Sequence, residues 1–463
     1  MIAPARINTL TTKKDTESYT TFGNITIDGN TQFATKAATY NWDLGGQRDG
    51  SSTSPYMIAN YDFSSSELTL VSIANTNLYF ESTNNYLDGN ASSSIGLQLL
   101  NVVNAKIDNN TMMNFKDNAI YASGCSLVTI GNNSISSTLS AMVLRKSSDL
   151  KITDNHIDSS LYDGLYVYSL TDSIINANTI THSSQYAIEF NTNNTIMNNL
   201  ITSQLAGIYL EMYANDNRIT NNSIQMSSTN AILLLQSNNN LINNNTFNDN
   251  PGTGILVDTS AGTEIVSNSF SNTQNDAIYL YLATNTNISY NTINNTRGRG
   301  IGMKSSNSTM ITHNILSKGK NYAIYLYADT TTTNITRNEF FYNSIEYTHQ
   351  VRDIGTNNHF TYNYWSDWTG TDRNNDSIID RPYIISISPI NQSDPYPIIS
   401  PEHMDAVYNP YFPPVNTTTT NPGGPAKQVS TSTSPSLPLT AKFMLLPLIL
   451  IPLIYRKKQK FEI

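Results

Sequence analysis

Cysteine is nearly absent: Cys125 stands alone among 463 residues, which excludes a disulfide framework and a metal site built on thiolates. Charge is scarce as well. Charged residues make up 13% of the sequence and the net charge is -9, so there is no wide cationic face for nucleic acid. The first residues, MIAPARINTLTTKKDTESY, lack the apolar core of a secretory leader. No stretch between the apolar positions carries a helical period. What is abundant is Asn, Ser, Thr and Tyr, and these are arranged in a repeat.

Segments such as IDNNTM at 107, ITNNSI at 219, ISYNTI at 288 and ITRNEF at 335 align on an asparagine, giving Asn110, Asn133, Asn155, Asn178, Asn199, Asn222, Asn245, Asn268, Asn291, Asn314, Asn338 and Asn363. Their spacing, 21 to 25 residues, is that of a structural unit, and it takes precedence over the length-based expectation of several globular domains. A second motif runs in phase: GLYVY at 164, AILLL at 231, AIYLY at 277, GIGMK at 300 and AIYLY at 323. Each is a short strand of period two. The position after the Ala or Gly (Ile120, Met142, Leu165, Ile188, Ile208, Ile232, Ile255, Ile278, Ile301, Ile324) and the one two further on are apolar throughout, so they face inward.

A unit of this size with only short strands cannot enclose a core alone. Stacked at about 4.8 Å per coil, it can. The expected fold is all-β: a right-handed parallel β-helix of about 23 residues per coil and roughly twelve coils, closed by capping segments. A recurring Asn at each corner is then scaffold, able to bond the backbone and to pass amide hydrogen bonds from coil to coil.

The C-terminal part departs from the repeat. Residues 437–455, LPLTAKFMLLPLILIPLIY, precede RKKQK, the arrangement of a transmembrane helix with a cytoplasmic basic end. The expected organisation is an N-terminal extension (1–22), an opening segment with the first coils (23–95), β-helix repeats (96–365), a closing segment (366–400), a Pro/Thr/Ser-rich linker (401–436), the membrane helix and a tail (456–463). This predicts a cell-membrane protein with its β-helix outside, and sequons from Asn24 to Asn416 then predict a glycoprotein.

Two segments carry a family resemblance. NITIDGNTQFATKAATYNWDLGGQRDGSSTSPYMIANYDF (24–63) reads as a strand, an aromatic and Gly-rich loop and a lead into the first coil, and NYWSDWTGTDRNNDSIIDRPYIISISPINQSDPYPI (363–398) reads as a closing cap. Together with the repeats they resemble the NosD-like, or CASH-type, right-handed β-helix proteins of archaeal and bacterial surfaces. The resemblance implies carbohydrate binding or cleavage, and by name copper delivery. The scattered Met and His residues offer no cluster of soft ligands, which speaks against copper.

Three sets of residues are candidates for chemistry. Tyr166, Tyr168, Tyr209, Tyr279, Tyr281, Tyr325 and Tyr327 fall in outward columns where rings can stack on sugars, with Lys304 as a cation for an acidic polymer and Gly302 as a dip beside it. Asp276 and Arg299, stacked in adjacent coils with Lys304 and His313 nearby, are the candidates for polysaccharide lyase or glycoside hydrolase chemistry. Asp372, Asn374, Asp376, Ile378 and Asp380 have the alternate spacing of a calcium loop, although Ser377 replaces the usual Gly and no Glu closes it. The expected function is a membrane-anchored surface protein that binds glycans or other envelope components. The alternatives are a lyase or hydrolase, a purely structural spacer and a copper protein.

Overall fold

The computed structural model describes residues 19–402, apart from 66, 191–192, 204, 345–348 and 387–390. Three parallel sheets of 15, 14 and 14 strands run side by side, and each strand pairs with those three places before and after it in sequence order. This is a parallel β-solenoid of about 13 turns. Like residues pile up in register: Ile255, Ile278, Ile301 and Ile324 in the front sheet, Ile242, Ile265, Ile288 and Ile311 in the second, and Ile224, Phe247, Phe270 and Ile293 in the third. All of these are buried, so the apolar columns line one continuous core.

The corner between the second and third sheets explains the recurring asparagine. Asn291 donates its backbone N–H to Asn314 Oδ1 at 2.9 Å and its Nδ2 to the same oxygen at 2.9 Å, while Nδ2 also reaches Ile265 O at 2.8 Å. The backbone N–H to Oδ1 bond repeats from Asn85 to Asn363. The residue before each ladder Asn is left-handed, as with Asn109 (φ 53°), Ala177 (φ 55°), Tyr290 (φ 58°) and Arg337 (φ 54°). Such a conformation costs a non-Gly residue about 1–2 kcal/mol. The corner therefore depends on the ladder to hold it.

Both ends are closed. Helix Asn30–Tyr40 buries Phe33 and Ala37 at the opening end, where Phe33 stacks on Tyr56 with centroids 5.4 Å apart. At the other end strands Tyr383–Ser386 and Gln392–Asp394 form an antiparallel pair, and Tyr383 stacks on Trp365, which stacks on Phe340. The buried Asp394 ends the ladder: its Oδ2 accepts from Asn363 N (2.9 Å), Asn363 Nδ2 (3.0 Å) and Trp365 Nε1 (3.1 Å).

The expected fold is corrected in two respects. The solenoid has about 13 turns rather than roughly twelve, because the opening segment contributes strands of its own, with a helix where a loop was expected. The transmembrane helix does not stand as part of the fold: among the described residues no helix is long and apolar enough to cross a membrane. The segment 437–455, with most of the linker and all of the tail, lies outside the described residues.

Candidate functional site

On the outer face of the front sheet, pairing register places Tyr279, Gly302, Tyr325 and Arg352 one above another in four consecutive coils. The backbone reaches this column round a bend. Ala277 and Ile278 are both fully buried, so the alternation is broken there and the preceding residue, Asp276, turns back toward the outer face. Arg299 occupies the same place one coil on. Its Nε donates to Asp276 Oδ1 at 2.9 Å, its Nη2 to Asp276 Oδ2 at 2.5 Å and its backbone N–H to Oδ1 at 2.7 Å.

The guanidinium lies in the gap that Gly302 leaves. A Cβ at Gly302 would come within 2.9 Å of Tyr279 Cδ2 and 3.2 Å of both Arg299 Nε and Asp276 Oδ2. Three rings surround the cation, Tyr279 at 5.2 Å, Tyr327 at 5.4 Å and Tyr325 at 5.9 Å, and Arg299 Nη1 donates to the Tyr327 hydroxyl. Exposure of the side chains is 19% for Arg299 and 4% for Asp276, so the ion pair is largely withdrawn from water. Burial works against the guanidinium's charge, but the bonds to Asp276 and Tyr327 outweigh it and hold the group above its ordinary pKa. Burial pushes the Tyr279 phenol up, with Arg299 opposing it. Beside this cluster a depression of about 420 Å³ opens, lined also by Asn275, Asn321, Tyr322 and Arg352.

The structure thus brings Asp276, Arg299, Tyr279, Tyr325 and Tyr327 into one group and corrects the expected dip at Gly302: the arginine three residues earlier fills it. Lys304 is not part of the depression. It is exposed, with Nζ 5.9 Å from the Tyr281 ring. His313 stacks on Tyr290 at 4.8 Å on the ladder corner, away from Asp276 and Arg299. Tyr166 and Tyr168 belong to an earlier coil, where Arg145 sits 5.5 Å from the exposed Tyr168 ring. Tyr209 is only 9% exposed and packs against Tyr186 at 4.7 Å, so little of its ring faces solvent. Between these tyrosines and Tyr279 the outward column holds Leu233 and Leu256.

Tyr322 and Arg352 were not singled out from the sequence. Arg352 follows a segment without the Ala-Ile signature, and only the apolar Val351, paired with Ile324, marks it as a strand residue. The Asp372–Asp380 loop is occupied with its own backbone: Asp372 Oδ2 accepts from Ser377 N at 2.8 Å, Asp376 Oδ1 from Ile378 N at 2.9 Å and Asp380 Oδ2 from Arg373 N at 3.1 Å. Among the described residues no group of three or more His, Cys, Asp and Glu side chains is placed to hold a metal.

A family model described as "Right handed beta helix region" matches residues 69–224 and 207–365. No curated protein sequence matches. Among solved structures, a tailspike protein mutant of E. coli bacteriophage HK620 in complex with a pentasaccharide has a TM-score of 0.52 at 10% identity, covering 76% of this protein and 74% of its own length. The A-module of an Azotobacter vinelandii mannuronan C-5 epimerase has a TM-score of 0.45 at 15% identity, covering 58% of this protein and 85% of its own length. A DFA-IIIase from Arthrobacter chlorophenolicus has a TM-score of 0.36 at 16% identity, covering 52% and 68%. At these identities the likeness is one of fold alone.

Proposed function

The chain belongs to the right-handed β-helix family, and from that premise we infer that it binds a glycan across the Tyr279, Tyr325 and Tyr327 face. The observation that carries this reading is the closure of three rings around one half-buried guanidinium beside an open depression. Aromatic faces stack on the apolar faces of sugar rings, while Asn275 and Asn321 supply amides for hydroxyls. The Arg299 and Asp276 charges are matched to each other and set the rings' positions. The exposed Arg352 provides positive charge at the rim. Tyr279 and Tyr325 stand two coils apart, about 9–10 Å, so longer oligomers engage both. The saccharide-bound tailspike fold is consistent with this reading. A NosD-like or CASH-type subgroup and an extracellular setting belong to the same proposal.

The test is retention of the full-length protein on immobilised polysaccharides. Tyr279→Ser with Tyr325→Ser should abolish retention while leaving the melting temperature within a few degrees of wild type. Equal retention of the double variant would show this face to be bare scaffold.

A further inference from the structure

Resting on the reading that a glycan occupies this depression, we propose that Tyr327 is its general acid–base residue and that the site cleaves hexuronic acid polymers by β-elimination. Hydrolysis by paired carboxylates is disfavoured by the lining itself. Among the described residues, Asp276 is the one acidic group that lines the depression, and both its oxygens are taken up by Arg299. A glycosidase pair needs two carboxyl groups flanking the bond. The group placed to exchange a proton is the Tyr327 hydroxyl. It accepts a bond from Arg299 Nη1, and a guanidinium offers only donors, so the hydroxyl's own proton is directed elsewhere. Negative charge developing on that oxygen meets a cation already fixed by Asp276.

The rim supplies the second requirement. Removing a proton next to a carboxylate demands that the carboxylate be countered, and the exposed Arg352 lines the same depression with its guanidinium 5.6 Å from the Tyr325 ring. The step balances without a cofactor. Ionised Tyr327 takes the C5 proton, the C5–H electron pair forms the C4–C5 double bond, and the C4–O4 bond breaks with its pair going to O4. Tyr327 then gives the same proton to O4 and returns to its starting state. One group serving both atoms requires H5 and O4 on the same face of the ring. D-Mannuronic and D-glucuronic units satisfy this, and D-galacturonic units do not.

The full-length protein is incubated with poly-D-mannuronate, poly-D-galacturonate and an uncharged glucan, following the ultraviolet absorbance of the unsaturated sugar. Product is expected from poly-D-mannuronate alone. Tyr327→Phe, which keeps the ring, should lower the rate about 100-fold or more, with column retention and melting temperature little changed. Arg352→Gln should lower turnover of the uronate by a larger factor than it lowers retention on uncharged glucan. Retention of poly-D-mannuronate without product would overturn the chemistry and leave binding standing, whereas loss of both would overturn the binding reading too. Equal product from poly-D-galacturonate, or full activity in Tyr327→Phe, would overturn the role of Tyr327.

Discussion

Replacing Asp394 with alanine removes the acceptor on which the asparagine ladder ends. Three buried donors lose their partner, namely Asn363 N, Asn363 Nδ2 and Trp365 Nε1. Asn363 and Trp365 are 0% and 1% exposed, so water does not replace the carboxylate without opening the cap. Each buried donor left unsatisfied costs about 1–3 kcal/mol. Relief from burying a carboxylate offsets part of this, since burial pushes the Asp394 carboxyl above its ordinary value despite its donors. The expected net loss is about 4 kcal/mol, seen as a lower denaturant midpoint and as faster amide exchange confined to the last coil. Asp394→Asn retains an acceptor but turns an amide toward the Tyr396 N–H that Oδ1 now accepts, and should lose less. Because the folded pKa is raised, the wild-type Asp394 contribution is fully present below the unfolded value of about 3.9 and declines as pH rises through the folded value. Wild type should therefore gain on Asp394→Asn as pH falls from about 7 to about 4. The reasoning fails if Asp394→Ala is no more damaging than Asp372→Ala in the exposed loop.

Ile278→Asp, which buries a charge at a fully enclosed position, should cost several kcal/mol, while Tyr281→Ser should cost far less; equal shifts in melting temperature would mean the facing is misassigned. Gly302→Ala should displace the Arg299 guanidinium and weaken glycan retention, because its Cβ would meet Tyr279 and Arg299; undiminished retention would show that the arginine's position is irrelevant to binding. Calcium bound by Asp372, Asn374, Asp376 and Asp380 should raise the melting temperature over that in chelator, and identical melts would show the loop to be an ordinary turn held by its own backbone bonds.

The sequence revealed most where one coil repeats the next. The columns through Ile278 and Leu280 were legible because a position enclosed on all sides accepts only apolar residues, and the ladder because an amide side chain can accept from one coil while it donates to others, so the same residue type recurs. The left-handed position before each Asn was not legible. Its occupants range from Asn to Ala, Tyr and Arg, since the constraint acts on φ and not on the residue type. The site was half visible. The spacing of Asp276 and Arg299 implied a stacked pair, but the filling of the Gly302 gap depends on the bend at Ala277 and Ile278, which period-two reading does not register. Lys304 was expected in the depression on phase alone, and two further residues along the strand carry it past the rings to Tyr281.

Every rung of the asparagine ladder points the same way, with the backbone N–H toward the closing end and the accepting Oδ1 toward the opening end. The amide dipoles add head to tail, much as peptide dipoles do along a helix, whereas the sheets themselves contribute little. The solenoid thus has an electrical axis, and its positive pole falls at Asn363, where the Asp394 carboxylate stands. The demand for an acceptor there is set by the direction of the rungs and not by the sequence of the cap. Whole coils can be added or removed without reversing that axis, so a lengthened or shortened solenoid of this kind still needs a hydrogen-bond acceptor at the same pole, whatever else its closing segment contains.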